Sequence, residues 1–359
     1  MTSPGVDVPE GAVSVGVLDE QFGHQLVAPR ATTAYMEPTW AERSYFLLYT
    51  DSGVVLNAGR QLYPHAGRRV ALTAASTERH QIGYRFAERV QPGDDPDLPI
   101  VGRMRVETVR PLHEIRLVLD APTSLLEYDL TFEARFPPVL SQRNRIELRE
   151  QVVTDYLNFF QSGRYSGDLR VGDEEHRVDG RAGFRDRGWG LRKHEGAPRR
   201  GMVVFVGCEL PDRALYLLLY ETAAATRVLT NGWIADASGS VDAVTEVTHE
   251  LSFVDGRLTG GTMVVTGAVT GTHDLRIQPR SHLLLAATGY RREHPTLDPP
   301  ERLDLHDPAV VAEHAGQTDY GCEFTVDGER GHGYVEIGLG VHARYQLAAN
   351  GTAEQGCAT

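Results

Sequence analysis

Short segments in which apolar and polar residues alternate recur along this chain at intervals of about 8–12 residues. Successive side chains of a β-strand point to opposite faces of a sheet, so an alternation with a period of two predicts strands. Such segments in continuous succession are typical of antiparallel sandwiches and barrels. We therefore predict an all-β chain with little helix, whose clearest strands lie in segments 43–50, 101–109, 113–120, 201–210, 213–221, 257–269 and 332–347.

The residues between these segments supply turn and capping signals. Val254-Asp255-Gly256-Arg257 predicts a tight hairpin, because Asp-Gly tolerates the positive φ angles that such a turn requires. Segment 302–316 predicts one short helix, with Asp307 as its N-cap and Pro308 at its first helical position.

The length of the chain predicts two domains. Its 359 residues exceed the range of about 100–200 residues that one domain usually occupies. The polar stretch 141–150 follows an apolar run and marks a plausible end of the first domain. We place the boundary near residue 160, which gives a domain at 1–160 and a second at 161–359. The proline-rich stretch 294–304 is interpreted as a surface loop of the second domain.

The chain is acidic, with 49 Asp and Glu residues against 36 Lys and Arg residues and a formal net charge of −13. Nucleic-acid binding needs a basic face that displaces counterions from phosphates, so we expect no nucleic-acid partner. The first residues, MTSPGVDVPEG, have neither the basic nor the apolar region of a signal peptide, and the sequence has no apolar run of about 18 residues. We therefore expect a cytoplasmic bacterial protein that does not insert into a membrane.

The sequence contains no motif for a nucleotide, a phosphate or a metal. Gly-x-Gly-x-x-Gly before a helix, the phosphate loop and the Gly-x-Ser-x-Gly elbow are all missing from it. The fourteen His residues are dispersed, and Cys208, Cys322 and Cys357 are far apart. Their spacing fits neither a zinc site nor a disulfide framework. We expect no cofactor and no metal, and we expect Cys208, within an apolar run, to be a small core residue.

The most distinctive local motif is Gly183-Phe184-Arg185-Asp186-Arg187-Gly188-Trp189-Gly190-Leu191-Arg192. Glycines on both sides of Trp189 indicate a backbone that bends sharply or passes close to another group. Three arginines that cannot lose their protons accompany one acid, Asp186. Such a group is either a buried ion-pair network or the polar end of a ligand site, and the residues leave both interpretations open.

Residues 165–192, which contain this motif, resemble the signature of bacterial proteins related to carotenoid 1,2-hydratase (hydroxyneurosporene synthase). The later segment 331–336, GHGYVE, resembles a second element of the same family. The resemblance implies two lipocalin-like antiparallel β-barrels in tandem, and a reaction that begins when an acid protonates an unactivated alkene. Two positions depart from the family pattern, since Arg187 stands where many members have His and Gly188 where they have Ser.

Aromatic residues in apolar strands are candidates for a hydrophobic binding site. Alternation places Tyr216 and Tyr220 on one face of their strand. Together with Trp189, Trp233 and Tyr334, they form our predicted set of substrate-binding residues. Each of them also fits a barrel-wall residue whose polar tip lies at a rim, because an eight-stranded barrel either fills its interior with side chains or holds one small ligand.

Three carboxyl groups are candidates for catalysis. Protonation of an alkene needs a carboxylic acid that an apolar surround keeps neutral at pH 7. Glu336 and Glu221 lie on apolar strands with no arginine next to them in sequence. Alternation places Glu336 on the face of Tyr334, which we expect to be the interior of the second barrel. Asp186 lies among arginines that favour its carboxylate, so it suits an anchor or a general base better than an acid.

We predict a cofactor-independent acid–base hydratase, isomerase or cyclase. Its substrate would be a small hydrophobic natural product of secondary metabolism, either terpenoid, steroid-like or polyene. The alternative is a non-catalytic, lipocalin-like binding protein for a hydrophobic metabolite, which needs neither an acid nor a charged cluster at its cavity. A perturbed carboxylic acid inside an aromatic cavity distinguishes the enzyme from the carrier. The sequence does not indicate an oligomeric state.

Overall fold

The computed structural model of this chain describes residues 15–23, 39–91, 93–120, 125–148, 150–192, 201–288, 290 and 296–345. Within these residues it consists almost entirely of β-strands and contains one α-helix, Pro308–His314. The predicted all-β fold with little helix is therefore confirmed. The strands form an open antiparallel sheet of 13 strands and a closed barrel of eight. No helix in the described ranges is long and apolar enough to cross a membrane.

The open sheet contains the first twelve strands of the chain and one later strand. The twelve are β1 (Trp40–Tyr49), β2 (Val55–Tyr63), β3 (Arg68–Ser76), β4 (His80–Arg89), β5 (Ile100–Val101), β6 (Met104–Arg110), β7 (Glu114–Leu119), β8 (Leu126–Ala134), β9 (Val139–Leu140), β10 (Asn144–Leu148), β11 (Gln151–Val171) and β12 (Glu174–Arg192). The long hairpin of β11 and β12 forms the centre of this sheet, between β8 and β1.

The barrel follows β12 and closes when its last strand pairs with its first. The later strands are β13 (Met202–Glu209), β14 (Arg213–Glu221), β15 (Arg227–Asp236), β16 (Val241–Val254), β17 (Arg257–Gly267), β18 (Gly271–Leu283), β19 (Leu297–Asp304), β20 (Gln317–Val326) and β21 (Glu329–Leu339). All of these except β19 belong to the barrel.

The interior of the barrel is filled with aliphatic side chains. Val204 and Val206 of β13 point into it, as do Leu217 and Leu219 of β14. Most of the alternate residues of both strands point outwards and are also apolar or aromatic, and Glu209 at the end of β13 is an exception. These strands therefore bury side chains on both faces, which makes the outer wall of the barrel a packing surface.

Several local signals of the sequence are confirmed. Asp255 and Gly256 have φ angles of 49° and 74° and form the turn between β16 and β17. Asp307 caps the helix, accepting a hydrogen bond from the Ala309 amide at 2.8 Å, and Pro308 begins it. Cys208 is a fully buried residue of the barrel core.

The position predicted for the domain boundary, residue 160, falls inside β11. The polar residues 141–150, which suggested the end of a domain, include β10, and this short strand pairs back onto β11. The chain passes from the open sheet to the barrel between Arg192 and Met202.

The interpretation of 294–304 as a surface loop is wrong for its second part, because residues 297–304 form β19. This strand pairs with β4 at the edge of the open sheet. Pro299 and Pro300 lack amide protons, and an edge strand tolerates them because one of its sides has no partner strand. The chain thus leaves the barrel after β18, extends the open sheet and returns.

A buried ionic network lies within the core of the open sheet. Arg185 donates two hydrogen bonds to the carboxylate of Glu20, at 2.5 and 2.9 Å. Arg187 donates to Oε2 of Glu42 at 2.7 Å, and its guanidinium lies 4.3 Å from the ring centroid of Phe22. Both arginines are only 1% exposed, and a buried charge is tolerated when it is paired. The network thereby fixes the segment 15–23 on β12.

We expect Glu20→Ala to lower the free energy of unfolding by about 3–5 kcal/mol, because it leaves the guanidinium of Arg185 buried without its carboxylate. Burial alone raises the pKa of Glu20, but the pairing with Arg185 lowers it overall. The loss should therefore be complete above the ordinary value of 4.5 and should disappear as the pH falls through the lowered native value.

Denaturant titration measures this loss, and Asp129→Ala is the matched control. Asp129 pairs with Arg116 by two hydrogen bonds as well, but on the surface, where ion pairs contribute little. The unfolding midpoint of this control should stay close to that of the wild type. Equal losses in the two variants would contradict the structural role of the buried pair.

Candidate functional site

The outer wall of the barrel packs against the open sheet through aromatic side chains. Phe160 of β11 lies in the middle of this contact, with its ring centroid 4.7 Å from that of Tyr216 and 5.4 Å from that of Phe205. Trp233 stacks on Tyr216 at 5.5 Å. Ring pairs at such distances add to the stabilisation that burial alone provides. The open sheet and the barrel therefore share one aromatic core.

The predicted residues Tyr216, Tyr220, Tyr334 and Glu336 lie on this outer wall. The predicted sharing of faces, Tyr216 with Tyr220 and Tyr334 with Glu336, is confirmed. The expectation that Glu336 faces the interior of the barrel is wrong, because aliphatic residues such as Val335 occupy the interior face of β21. Alternation fixes which residues share a face, but when both faces are apolar it does not show which face points inwards.

A cavity of about 50 Å³ lies between the outer wall and the open sheet. Five tyrosines line it, namely Tyr45, Tyr156, Tyr220, Tyr290 and Tyr334, together with apolar residues that include Phe205 and Leu218. Its polar lining residues are Asn57, Asn158, Asp186 and Glu336. One water needs roughly 10–15 Å³ of such space, so the cavity has room for a few waters.

A second cavity, of about 20 Å³, adjoins the first. Tyr45, Tyr156, Asp186 and Tyr290 line both cavities, whereas Arg43 and Trp189 line only the second. The predicted binding residue Trp189 is half-buried there, and the guanidinium of Arg187 lies 5.7 Å from its ring centroid. The guanidinium of Arg43 therefore lines the second cavity, and the carboxyl group of Glu336 lines the first.

Two glycines give the aromatic lining its room. Gly59 is directly opposite Tyr45 in the pairing of β1 and β2, and a Cβ atom at Gly59 would overlap the Tyr45 ring. Gly190 has a φ angle of 138°, and its backbone passes so close to Tyr156 that a Cβ atom would lie 2.5 Å from the Tyr156 Cα. The second of the glycines that flank Trp189 therefore has the close-approach role expected from the motif.

Asp186 lies on the face of β12 opposite to Arg185 and Arg187, so one face of the motif joins a buried ion-pair network and the other lines the cavity. The two arginines take carboxylate partners from outside the motif and form the buried network. Asp186 enters the cavity and accepts a hydrogen bond from Nδ2 of Asn158 at 2.9 Å. The same Asn158 amide lies 3.2 Å from the hydroxyl of Tyr216.

Glu336 has a buried acidic neighbour, Asp319 of β20. The two residues are directly opposite in the pairing of β20 and β21. Asp319 is 1% exposed and accepts a hydrogen bond from Nδ2 of Asn57 at 2.8 Å, while Glu336 accepts one from Nε2 of Gln317 at 2.6 Å. Burial, reinforced by the charge of Glu336, raises the pKa of Asp319 well above its ordinary value. Asp319 therefore holds its proton more tightly than an ordinary Asp side chain does.

Tyr334 contributes a buried hydroxyl group to this cavity. Its oxygen is buried and has no hydrogen-bond partner among the described residues. Burial raises the pKa of Tyr334 well above its ordinary value, and the nearby carboxyl groups of Asp186, Glu336 and Asp319 raise it further. The phenol therefore keeps its proton and can donate a hydrogen bond to a bound molecule.

Glu221, the other predicted acid, lies away from the cavity lining. It pairs with Arg227 at 2.9 Å and hydrogen-bonds His249 at 3.0 Å and His342 at 2.9 Å. Burial would raise the pKa of Glu221, but its hydrogen bonds with Arg227 and His249 lower it overall, so it is ionised. Among the described residues, no group of three or more His, Cys, Asp or Glu side chains is arranged to hold a metal ion.

The sequence reasoning missed the other polar and aromatic residues of the site, which are Asn57, Asn158 and Asp319 and the tyrosines Tyr45, Tyr156 and Tyr290. They come from the open sheet, from a barrel strand distant in sequence and from the segment after β18. One signal was available, because alternation in β20 places Asp319 on the face opposite to Tyr320 and Cys322. Its position beside Glu336 depends on a pairing register that the sequence does not display.

The model of a family of unknown function, DUF8625, matches residues 16–297. No curated protein sequence matches the chain. A solved structure from Nitrosomonas europaea, named as a candidate AttH, is similar with a TM-score of 0.54 and 16% identity over 83% of this chain and 91% of that one. Kievitone hydratase from Nectria haematococca is similar with a TM-score of 0.50 and 15% identity over 94% of this chain and 96% of that one. At these identities the likeness shows a shared fold.

We expect Tyr334→Phe to leave the free energy of unfolding within about 1 kcal/mol of the wild type or to raise it, because the lost hydroxyl has no described hydrogen-bond partner. Tyr216→Phe is the matched variant, since Tyr216 is equally buried but its hydroxyl contacts Asn158. It should lower the free energy of unfolding by about 1 kcal/mol. Urea titration of both variants measures the difference, and a loss in Tyr334→Phe as large as in Tyr216→Phe would contradict the assignment.

Proposed function

We propose that this chain, which belongs to the DUF8625 family of unknown function, is a cofactor-independent acid–base hydratase, isomerase or cyclase for a hydrophobic natural product. The reaction would take place in the cavity between the barrel wall and the open sheet. The observation that carries the proposal is the combination of five tyrosine rings with carboxyl groups in one enclosed space. One of these carboxyl groups belongs to Glu336. Its neighbour is Asp319, and burial raises the pKa of Asp319.

The first step would be the transfer of a proton from the carboxyl group of Glu336 to an alkene carbon of the substrate. The π electrons form the new C–H bond, and the adjacent carbon becomes a cation that the faces of nearby tyrosine rings stabilise. A hydratase adds water to this cation, and an isomerase removes a neighbouring proton. In a cyclase a second alkene attacks the cation, and the new cation that results loses a proton. In all three cases Asp186, which lines the same cavity, would accept the released proton.

Two likenesses support this reaction class without fixing the substrate. Kievitone hydratase is a hydratase by name, and its shared fold makes hydration the first reaction to test. The resemblance of residues 165–192 to relatives of carotenoid 1,2-hydratase favours a terpenoid or polyene substrate, with steroid-like compounds as a further class. Arg187, where many of those relatives have His, is engaged by Glu42 in the buried network and is not available as a proton carrier.

The size of the cavity requires that it open for such a substrate. Sites for drug-sized ligands measure about 300–1,000 Å³, whereas this cavity measures about 50 Å³. Tyr45 and Tyr290 pack edge to face at 5.4 Å and line both cavities, so a rotation of these two rings would join them. Binding should therefore alter the fluorescence or the NMR signals of the cavity tyrosines.

The test begins with mass spectrometry of compounds that co-purify with the protein, followed by turnover assays on terpenoid, steroid and polyene panels in deuterated water. Acid catalysis places one deuterium on carbon in each turnover. We expect Glu336→Gln to lower turnover by about 10²–10⁴-fold, because the amide cannot donate an acidic proton, and to leave ligand affinity nearly unchanged. Asp186→Asn should lower turnover of the same substrate as well.

Glu323→Gln is the control for these variants, since Glu323 lies on the neighbouring strand, is exposed and pairs with Arg280 at 2.6 Å. It should keep full turnover, and so should wild-type protein after prolonged chelation and desalting. Tight binding of a ligand without turnover or deuterium uptake in the wild type would support the carrier alternative instead. Full turnover in Glu336→Gln would contradict the acid assignment.

A further inference from the structure

Two carboxyl groups face each other across β20 and β21, and no ion pair between either of them and a described residue is present. Asp319 and Glu336 are directly opposite in the antiparallel register, where the Cβ atoms of such a pair lie about 4.5–5.5 Å apart. On its other side Asp319 is opposite Leu283 of β18. The side-chain hydrogen bonds that the pair accepts from described residues come from the neutral amides of Asn57 and Gln317.

The remaining oxygen of Asp319, Oδ1, is buried and has no described hydrogen-bond partner. A fully ionised carboxylate would leave this charged oxygen without a donor at a large cost, whereas a protonated carboxyl group would not. The negative charge of Glu336 adds to the effect of burial and raises the proton affinity of Asp319. The nearby negative charge of Glu336 therefore favours a proton on the pair, and Oδ1 of Asp319 can carry it.

The groups that surround the pair do not supply a cation for it. Tyr334 of β21 and Asp186 of β12 act on the same region of the cavity, and Tyr45 of β1 and Tyr290 line its wall. Among the described residues that line the two cavities, the cation is Arg43, and it lines only the adjoining one. The described side chains that line the cavity around Glu336 are therefore acidic or uncharged.

We propose that Asp319 and Glu336 hold a single proton between them and together form the acid of the cavity. Glu336, which lines the cavity, is the catalytic residue that delivers the proton, and Asp319 is a positioning residue that keeps the proton on the pair at neutral pH. The use of this proton in turnover rests on the proposed function, but its presence on the pair does not.

The pair also explains how the proton is released during the reaction. When it moves to the alkene carbon, the C–H bond forms from the π electrons and the pair, which held one negative charge, now holds two. The two carboxylates stabilise the new carbocation beside them. Water then adds to the cation and loses a proton to Asp186. Asp186 releases this proton to solvent, and the pair takes one up from solvent, which restores the starting state.

Infrared spectroscopy of the full chain over pH 5–9 tests the proposal without any substrate, because a protonated carboxyl group has its own C=O stretching band. We expect one such band to persist at pH 7 in the wild type and to disappear only at higher pH. In Asp319→Asn and in Glu336→Gln the apparent midpoint should fall by at least about one pH unit, since the like charge opposite the remaining carboxyl group is gone. Selective ¹³C labelling of Asp side chains would show how far the proton resides on Asp319.

Glu323→Gln is again the matched control. Glu323 lies on the same face of β20 as Asp319, but it is balanced by Arg280, so its replacement should leave the midpoint unchanged. The absence of a protonated carboxyl band at pH 7 in the wild type would overturn the proposal. So would a midpoint in Glu336→Gln equal to that of the wild type, because the proton would then belong to Asp319 alone.

Stability measurements give an independent readout. The pKa of Asp319 is raised in the native state, so the native protein binds more protons than the unfolded chain above the ordinary Asp value of 3.8, and this advantage is lost as the pH rises through the native value. Relative to Asp319→Asn, the unfolding equilibrium constant of the wild type should increase by up to about tenfold per pH unit in that window. Parallel profiles for the two proteins would overturn the shared proton.

The two proposals fail in different ways. A band that behaves as expected in a protein that binds ligands without turning any over would leave the shared proton intact and remove the enzymatic function. Turnover that depends on Glu336 in a protein without the band would keep the enzymatic function and remove the shared proton.

Discussion

The alternation of side chains along β12 is the constraint on which both the fold and the candidate site depend. Successive residues of a strand point to opposite faces, so Arg185 and Arg187 enter the core of the open sheet while Asp186 enters the cavity. The two guanidinium groups are tolerated there because Glu20 and Glu42 pair with them. A slip of one residue would exchange the faces, moving both arginines into the cavity and Asp186 into the core beside Glu42. The ion pairs therefore fix the register that keeps Asp186 in the site.

The contact between the sheet and the barrel contains a buried ion-paired residue, Glu209, and a cluster of aromatic rings around Phe160. Glu209 of β13 is buried, accepts a hydrogen bond from Ser162 of β11 at 2.8 Å, and pairs with Arg164 at 2.7 Å and with Arg135 at 2.5 Å. Its directional bonds determine how the barrel is oriented on the sheet, because breaking a buried pair is costly. The rings around Phe160 belong to one buried hydrophobic cluster that spans this contact. The cavity forms within this aromatic contact, so its size depends on how the sheet and the barrel pack.

Local patterns predicted local structure well, and failed where the answer depends on contacts distant in sequence. Alternation gave the strands, and residues 254–257 and Asp307 gave a turn and a helix cap that the structure contains. The same alternation paired Tyr334 with Glu336, yet the inward face of the barrel was misjudged because both faces of β13 and β14 are apolar. Strand pairing and sheet packing determine which side of β1 and β2 faces the cavity. They also place Asp319 beside Glu336. Neither result can be predicted from a short segment of sequence.

Three of the buried polar atoms that have no described hydrogen-bond partner belong to residues that line the cavity or lie beside it. The hydroxyl of Tyr334, Oδ1 of Asp319 and Oδ1 of Asn57 are all buried without a described hydrogen-bond partner. Each such atom costs about 1–3 kcal/mol, and a fold selected for stability alone would replace or satisfy them. Native proteins retain such costs chiefly at functional sites, where a ligand or a transition state completes the hydrogen bonds. The three atoms belong to the sheet strand β2 and to the barrel strands β20 and β21, so the groups that a bound molecule would satisfy come from both units. A ligand with hydrogen-bonding groups at this end would therefore strengthen the contact between sheet and barrel while it occupies the acid site.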